Sequence, residues 1–161
     1  MNYKLLFPTY RNRYLFIKEN LESNTGESEF GSGLNLGTGE GDYAPMIASK
    51  CKMLIACDIN ENDIAFAKSL NARLDNIHYQ VEDALQLSFP ENSFDLLVSG
   101  DVMEHVGEPE RMTAEIGRLL KPIRQITYKP LRQSVRVSLT GELTNKRFKK
   151  IEEEYKEELY H

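Results

Sequence analysis

The chain has 161 residues, 40% of them hydrophobic, and 20 Lys/Arg against 25 Asp/Glu give a net charge of −5. That suits a single domain over residues 1–161 with material for a core. No run of 18 apolar residues is present, so no membrane helix is expected, and an acidic body opposes an obligate nucleic-acid partner.

Residues 9–22 place Tyr10, Tyr14, Ile17 and Leu21 at helical spacing, with Arg11, Arg13, Lys18 and Glu19 on the wetter side. The spacing predicts a helix that packs on a sheet; a flap over a ligand pocket, with the tyrosines as its wall, is the alternative. The stretch before it, Met1 to Pro8, is too short in apolar residues for a secretory signal. A cytoplasmic location is expected. Residues 23–32 read as a polar connector, closing an N-terminal segment over 1–32.

From 33 to 122 strands and helices alternate. Leu34–Leu36 is a short strand, followed by Gly37-Thr38-Gly39-Glu40-Gly41 and a helix over Asp42–Lys50 that tolerates Pro45 in its first turn. Met53–Cys57 is a continuous apolar strand. Asn60 caps the next helix, with Asp63 completing a capping-box-like pair, and Ile64, Ala67 and Leu70 face inward. Asn76–Val81 and Phe94–Ser99 are the third and fourth strands. Pro109 opens a helix through Met112, Ile116, Leu119 and Leu120 that stops at Lys121-Pro122. The alternation predicts a Rossmann-like parallel sheet with helices on both faces. Residues 123–161 diverge: strands are expected at Ile123–Tyr128 and Gln133–Leu139, and a charged helix at Asn145–Tyr160.

Charge follows this division. Residues 1–121 carry 11 Lys/Arg and 19 Asp/Glu, a balance of −8, and residues 122–161 carry 9 and 6, a balance of +3. The basic tail is a candidate homodimer surface. Cys51 and Cys57 fit a reducing compartment, and His78, His105 and His161 are too scattered to suggest a metal site.

In a parallel sheet, ligands lie beyond the carboxyl ends of the strands. Gly37, Gly39 and Gly41 follow the first strand and Asp58 the second, 21 residues after Gly37. Asp83 follows the third, and Ser99, Gly100 and Asp101 end the fourth. A carboxylate at the place of Asp58 can accept from a ribose diol, and Asp83 can accept from an adenine amine. Taken singly, each Asp is equally a cap or a solvated turn residue; their joint placement favours an adenosine. The glycines run G-x-G-x-G rather than G-x-G-x-x-G. Asp42 at the helix start would repel a pyrophosphate. The pattern favours S-adenosyl-L-methionine over a dinucleotide.

The chain resembles the class I S-adenosylmethionine-dependent methyltransferases, in particular the small-molecule branch that includes quinone methyltransferases. The resemblance lies in Asn35-Leu36-Gly37-Thr38-Gly39-Glu40-Gly41, in Cys57-Asp58-Ile59-Asn60 and in Glu82-Asp83-Ala84. It continues from Leu87 to Ser99, through Glu104-His105-Val106, and ends at Arg118-Leu119-Leu120-Lys121-Pro122. It implies that Gly37 and Gly39 let the backbone approach the methionine portion and that Asn35 and Thr38 belong to the same loop site. Asp58 would bind the ribose hydroxyls, Ile59 would pack on the adenine, Asp83 and the Ala84 backbone would hold its amine, and Ser99 would face the sulfonium. Two departures stand out. Asn35 replaces a usual acidic residue, and Ile123-Arg124-Gln125 follows Lys121-Pro122 where the family has Gly-Gly and a fifth strand. Atypical or reduced C-terminal strands are therefore expected.

The implied reaction is methyl transfer to a small-molecule acceptor. His105 is the first candidate base and Asp101 the second; packing or solvent exposure is the competing account of His105. A binding module without turnover and a nicotinamide-dependent enzyme are the rival functions.

Overall fold

The computed structural model describes residues 8–25, 29–129 and 135–138. Its elements in chain order are α1 (Pro8–Thr25), β1 (Phe30–Leu36), α2 (Ala44–Ala48), β2 (Cys51–Asp58), α3 (Glu61–Leu70), β3 (Ile77–Val81), β4 (Phe94–Gly100), a 3-10 turn at Met103–His105, α4 (Pro109–Leu119), β5 (Leu120–Lys129) and β6 (Val135–Ser138). The strands form one sheet in the order β3-β2-β1-β4-β5-β6. The first five are parallel. β6 runs antiparallel to β5, from Gln125 opposite Ser138 to Tyr128 opposite Val135.

The core has two parts. Ile17 and Leu21 of α1 and Ala44, Ile47 and Ala48 of α2 pack with Leu54, Ala56, Leu96 and Val98. Met112, Ile116 and Leu119 of α4 pack with Leu34, Leu36, Cys57 and Leu97. Leu96 and Val98 belong to one part and Leu97 to the other, as the twofold alternation of a strand requires. Phe94 to Ser99 of β4 are all buried, as in a strand covered on both faces, whereas in β2 Met53 is 40% exposed although the apolar run Met53–Cys57 suggests burial throughout.

Several elements depart from the sequence expectation. β1 starts at Phe30 rather than Leu34, within the expected polar connector, because pairing with β2 (Phe30 opposite Cys51) overrides the weak strand tendency of Gly31-Ser32-Gly33. α2 is shorter than Asp42–Lys50, and Asp42 precedes the helix instead of starting it. Leu70 is 55% exposed. One period after Ile64 and Ala67 the inward position falls on Asn71, whose Nδ2 donates to Gly41 O (3.1 Å) and Tyr79 Oη (2.8 Å). Asn60 caps α3 by accepting from Asn62 N at 3.0 Å and Asp63 N at 3.4 Å. Its own N–H donates to Asp58 Oδ1 at 3.1 Å, so Asp58 takes the reciprocal place expected of Asp63.

A fifth parallel strand is present despite the missing Gly-Gly. α4 passes directly into β5, and the pairing slips between Phe94 opposite Leu120 and Leu96 opposite Gln125. The slip takes up Pro122, which cannot donate to a ladder. The charged helix expected at Asn145–Tyr160, and with it the dimer surface, lies outside the described residues. No described helix is long and apolar enough to cross a membrane.

Candidate functional site

The carboxyl ends of β1 to β4 open into a cleft of about 780 Å³, within the roughly 300–1,000 Å³ usual for small-molecule sites. The glycine loop is docked on the end of β2: Gly37 N and Thr38 N both donate to Cys57 O at 2.9 Å. Gly39 N donates to Asp58 Oδ2 at 2.8 Å. With Asn60 N on Oδ1, both Asp58 oxygens are held by the backbone, and each keeps a lone pair for a further donor. Gly37 has a φ of 74°, and a Cβ there would overlap Val102 Cγ2, so any other residue at this position is strained and crowded.

Asp83, exposed, turns the chain after β3 by accepting from Leu85 N at 2.8 Å through Oδ1. Ala84 beside it is buried. Glu82 is fixed by Gln80 Nε2 at 2.6 Å and by Ser88 N at 3.0 Å. Ile59 is 69% exposed on the cleft wall, an apolar surface beside the Asp58 carboxylate.

After β4, Asp101 has a φ of 55°, uncommon outside glycine. Its carboxylate forms an ion pair with the Arg13 guanidinium of α1. His105 stands exposed at the end of the 3-10 turn, its N–H bonded to Val102 O at 2.9 Å.

The cleft thus brings together Gly37, Thr38, Gly39, Asp58, Ile59, Asp83, Ala84, Asp101 and His105 of the residues named from sequence. Asn35 and Ser99 do not line it. Asn35 is 3% exposed and donates to Thr38 Oγ1 at 2.8 Å, so it touches the loop from behind. Ser99 is 4% exposed, opposite Leu36 in the sheet, and its Oγ has no hydrogen-bond partner among the described residues. Cys57 is no nucleophile: burial first, then the Glu82 and Asp58 charges, push its thiol up to about 12.

Sequence reasoning missed Arg13 and Tyr43, and held Tyr10 as cleft wall only as the alternative to a packing helix. Tyr10 and Arg13 line the cleft while Ile17 and Leu21 are buried in the core, so α1 is at once packing helix and cleft wall. Residues 10, 13 and 17 fall on one helical stripe, a signal that was legible; Arg13 was set on the wet side because of its charge alone. Tyr10 stacks on Tyr43 with ring centroids 5.4 Å apart.

Comparison with known proteins agrees with this geometry. Residues 34–123 match the family model described as a methyltransferase domain. The chain is 32% identical over 92 residues to phosphoethanolamine N-methyltransferase 2 of Caenorhabditis elegans, covering 55% of this chain and 21% of that protein. It is 26% identical over 107 residues to the ubiquinone biosynthesis O-methyltransferase of Coxiella burnetii, covering 66% and 46%. Among solved structures it is similar to N-methyltransferase NodS of Bradyrhizobium japonicum WM9 in complex with S-adenosyl-L-homocysteine, with TM-score 0.66 and 25% identity over 78% of this chain and 64% of that one. The chain spans less than half the length of the two curated relatives.

Proposed function

The chain belongs to the class I S-adenosylmethionine-dependent methyltransferase family, and from that premise we propose that it transfers a methyl group to a small-molecule acceptor. The observation that carries this reading is the Asp58 carboxylate, bridged to Gly39 N and Asn60 N and exposed to the same cleft as Asp83. A cleft with two such acceptors, an apolar Ile59 wall and a glycine loop suits a nucleoside with a free diol and no phosphate. When bound, S-adenosylmethionine supplies a methyl group already activated on a sulfonium.

Each residue then has a role. Asp58 binds the ribose hydroxyls with the lone pairs that the backbone leaves. Ile59 packs on the base, and Asp83 with the Ala84 backbone receives its amine. Gly37 and Gly39 give close approach to the loop, and Asn35 holds Thr38 in place from behind. Asp101 is committed to Arg13, so His105 is the better placed group to take a proton. Positioning of the acceptor supplies most of the rate.

Calorimetric titration with S-adenosylhomocysteine tests the cofactor half. Saturable heat at one site is expected; no heat with either it or S-adenosylmethionine overturns the reading. Transfer of a radiolabelled methyl group into the small-molecule fraction of a cell extract tests turnover. Saturable binding with no labelled product would favour the binding-only alternative, which the capture of Asp101 by Arg13 also supports.

A further inference from the structure

We propose that the acceptor is a cationic amine, recognised by the stacked tyrosines of the cleft in a field set by its carboxylates. The proposal rests on the methyl-transfer reading, because it concerns the part of the same cleft that the cofactor residues leave over. That part is formed by Tyr10 and Arg13 of α1, Tyr43 after the glycine loop, and Asp101, Glu104 and His105 after β4.

Charge is the first argument. Of the described residues lining the whole cleft, eight are Asp or Glu and one is Arg, and the part left over holds two of the eight, Asp101 and Glu104. That Arg13 is already engaged by Asp101. A carboxylate or phosphate on the acceptor would enter a negative cleft whose one Lys or Arg among the described residues is occupied. An ammonium would be drawn in, since a cleft lined by one sign of charge concentrates its field on an entering ligand.

Shape and surface are the second. Tyr10 and Tyr43 lie nearly parallel, 19° apart, and Tyr14 leans on Tyr43 at 6.3 Å. The stack turns one face of each ring to the other, so a cation meets the pair at its outer surface; aromatic rings attract cations, most effectively those with weakly hydrated alkyl ammonium groups. Neither feature alone selects an amine; acidic walls and an aromatic pair in one cleft do.

The step balances without a further reagent. The ammonium first loses a proton to His105 or water. The nitrogen lone pair then forms the N–CH3 bond as the S–CH3 bond of the sulfonium breaks, its electron pair remaining on sulfur as a neutral thioether.

The test uses protein saturated with S-adenosylhomocysteine, with that saturation verified by calorimetry. Tetramethylammonium chloride, sodium acetate and phenol are compared at constant ionic strength. Tetramethylammonium at a few times its Kd is expected to raise Tm by about 2 °C, with no rise from acetate or phenol. Tyr10→Leu, titrated alongside with S-adenosylhomocysteine to verify its fold, is expected to lose the rise. A rise with acetate or phenol, the same rise in Tyr10→Leu, or no rise at all overturns the amine assignment while leaving the cofactor site standing. Failure of S-adenosylhomocysteine to bind removes both.

Discussion

Gly37 and Gly39 differ in what holds them. Both have positive φ, 74° and 51°, but a Cβ at Gly37 would strike Val102 while one at Gly39 would meet nothing within 4 Å. Gly37→Ala therefore adds overpacking to backbone strain, about 2–4 kcal/mol together. Gly39→Ala adds strain alone, about 1–2 kcal/mol. Urea unfolding midpoints measure both, and Val102→Ala in the Gly37→Ala background is expected to recover the overpacking part only. Equal losses at the two glycines would contradict this account. Asp58 carries a different load. In Asp58→Asn an amide group faces one of the two N–H donors, Gly39 N or Asn60 N, that the carboxylate now accepts. Loss of that bond and of one diol contact, each about 1–2 kcal/mol, predicts at least a tenfold weaker S-adenosylhomocysteine titration. A destabilised protein with unchanged affinity would make Asp58 a loop clamp and nothing more.

Elements are tied together by a few polar braces. The Glu115–Arg118 pair of α4 is one. Arg118 donates to Phe89 O at 2.7 Å and Leu87 O at 3.0 Å, and Glu115 accepts from Leu87 N at 3.0 Å. This fixes the loop between Asp83 and β4 and hence one edge of the cleft. The Arg118 hydrogen bond, opposed by burial and aided by Leu87 N–H, holds the Glu115 carboxyl below its usual 4.5. The sign follows: a folded-state value below the unfolded one gives stability that is full above about 4.5 and drains as pH falls through the folded value. Glu115→Gln is expected to be less stable at pH 7 and to show a shallower loss in urea midpoint as pH falls below about 4.5. Parallel acid limbs for the two proteins would refute the brace. None of this was legible in sequence, where Glu115 and Arg118 are two charges among many on an amphipathic helix. The elements themselves were legible where burial writes a pattern, as in Phe94–Ser99 or Met112-Ile116-Leu119. They were not where pairing overrides propensity, as at Phe30–Gly33, or where a strand starts on the last turn of a helix, as at Leu120.

At the scale of the molecule, the strand-end series was readable because a parallel sheet gathers distant residues at one edge, whatever separates them in the chain. Arg13 escaped because a charge on a packing helix reads as solvated, although it shares a helical stripe with Tyr10 and Ile17. The same sheet makes the two core halves interdependent, and β2 carries a thiol in each: Cys51 packs with α1 and α2, and Cys57 with the α4 side. Burial, with nearby carboxylates adding to it, pushes both thiols to about 12. At pH 8 only roughly one thiol in ten thousand is then thiolate, and the buried sulfur is shielded besides. Labelling by a disulfide reagent must wait for unfolding. Because Leu96, Leu97 and Val98 of one strand serve both halves, opening is expected to be cooperative, so both cysteines label at one rate under mild urea. S-adenosylhomocysteine at about 100 times its Kd stabilises the folded state by about 2.7 kcal/mol, which slows that shared rate about a hundredfold. Mass spectrometry of the labelled peptides separates the cases. Cys51 reacting well ahead of Cys57 would mean that the α1 side opens alone, and a ligand effect on one thiol only would mean that the cleft is coupled to half of the sheet.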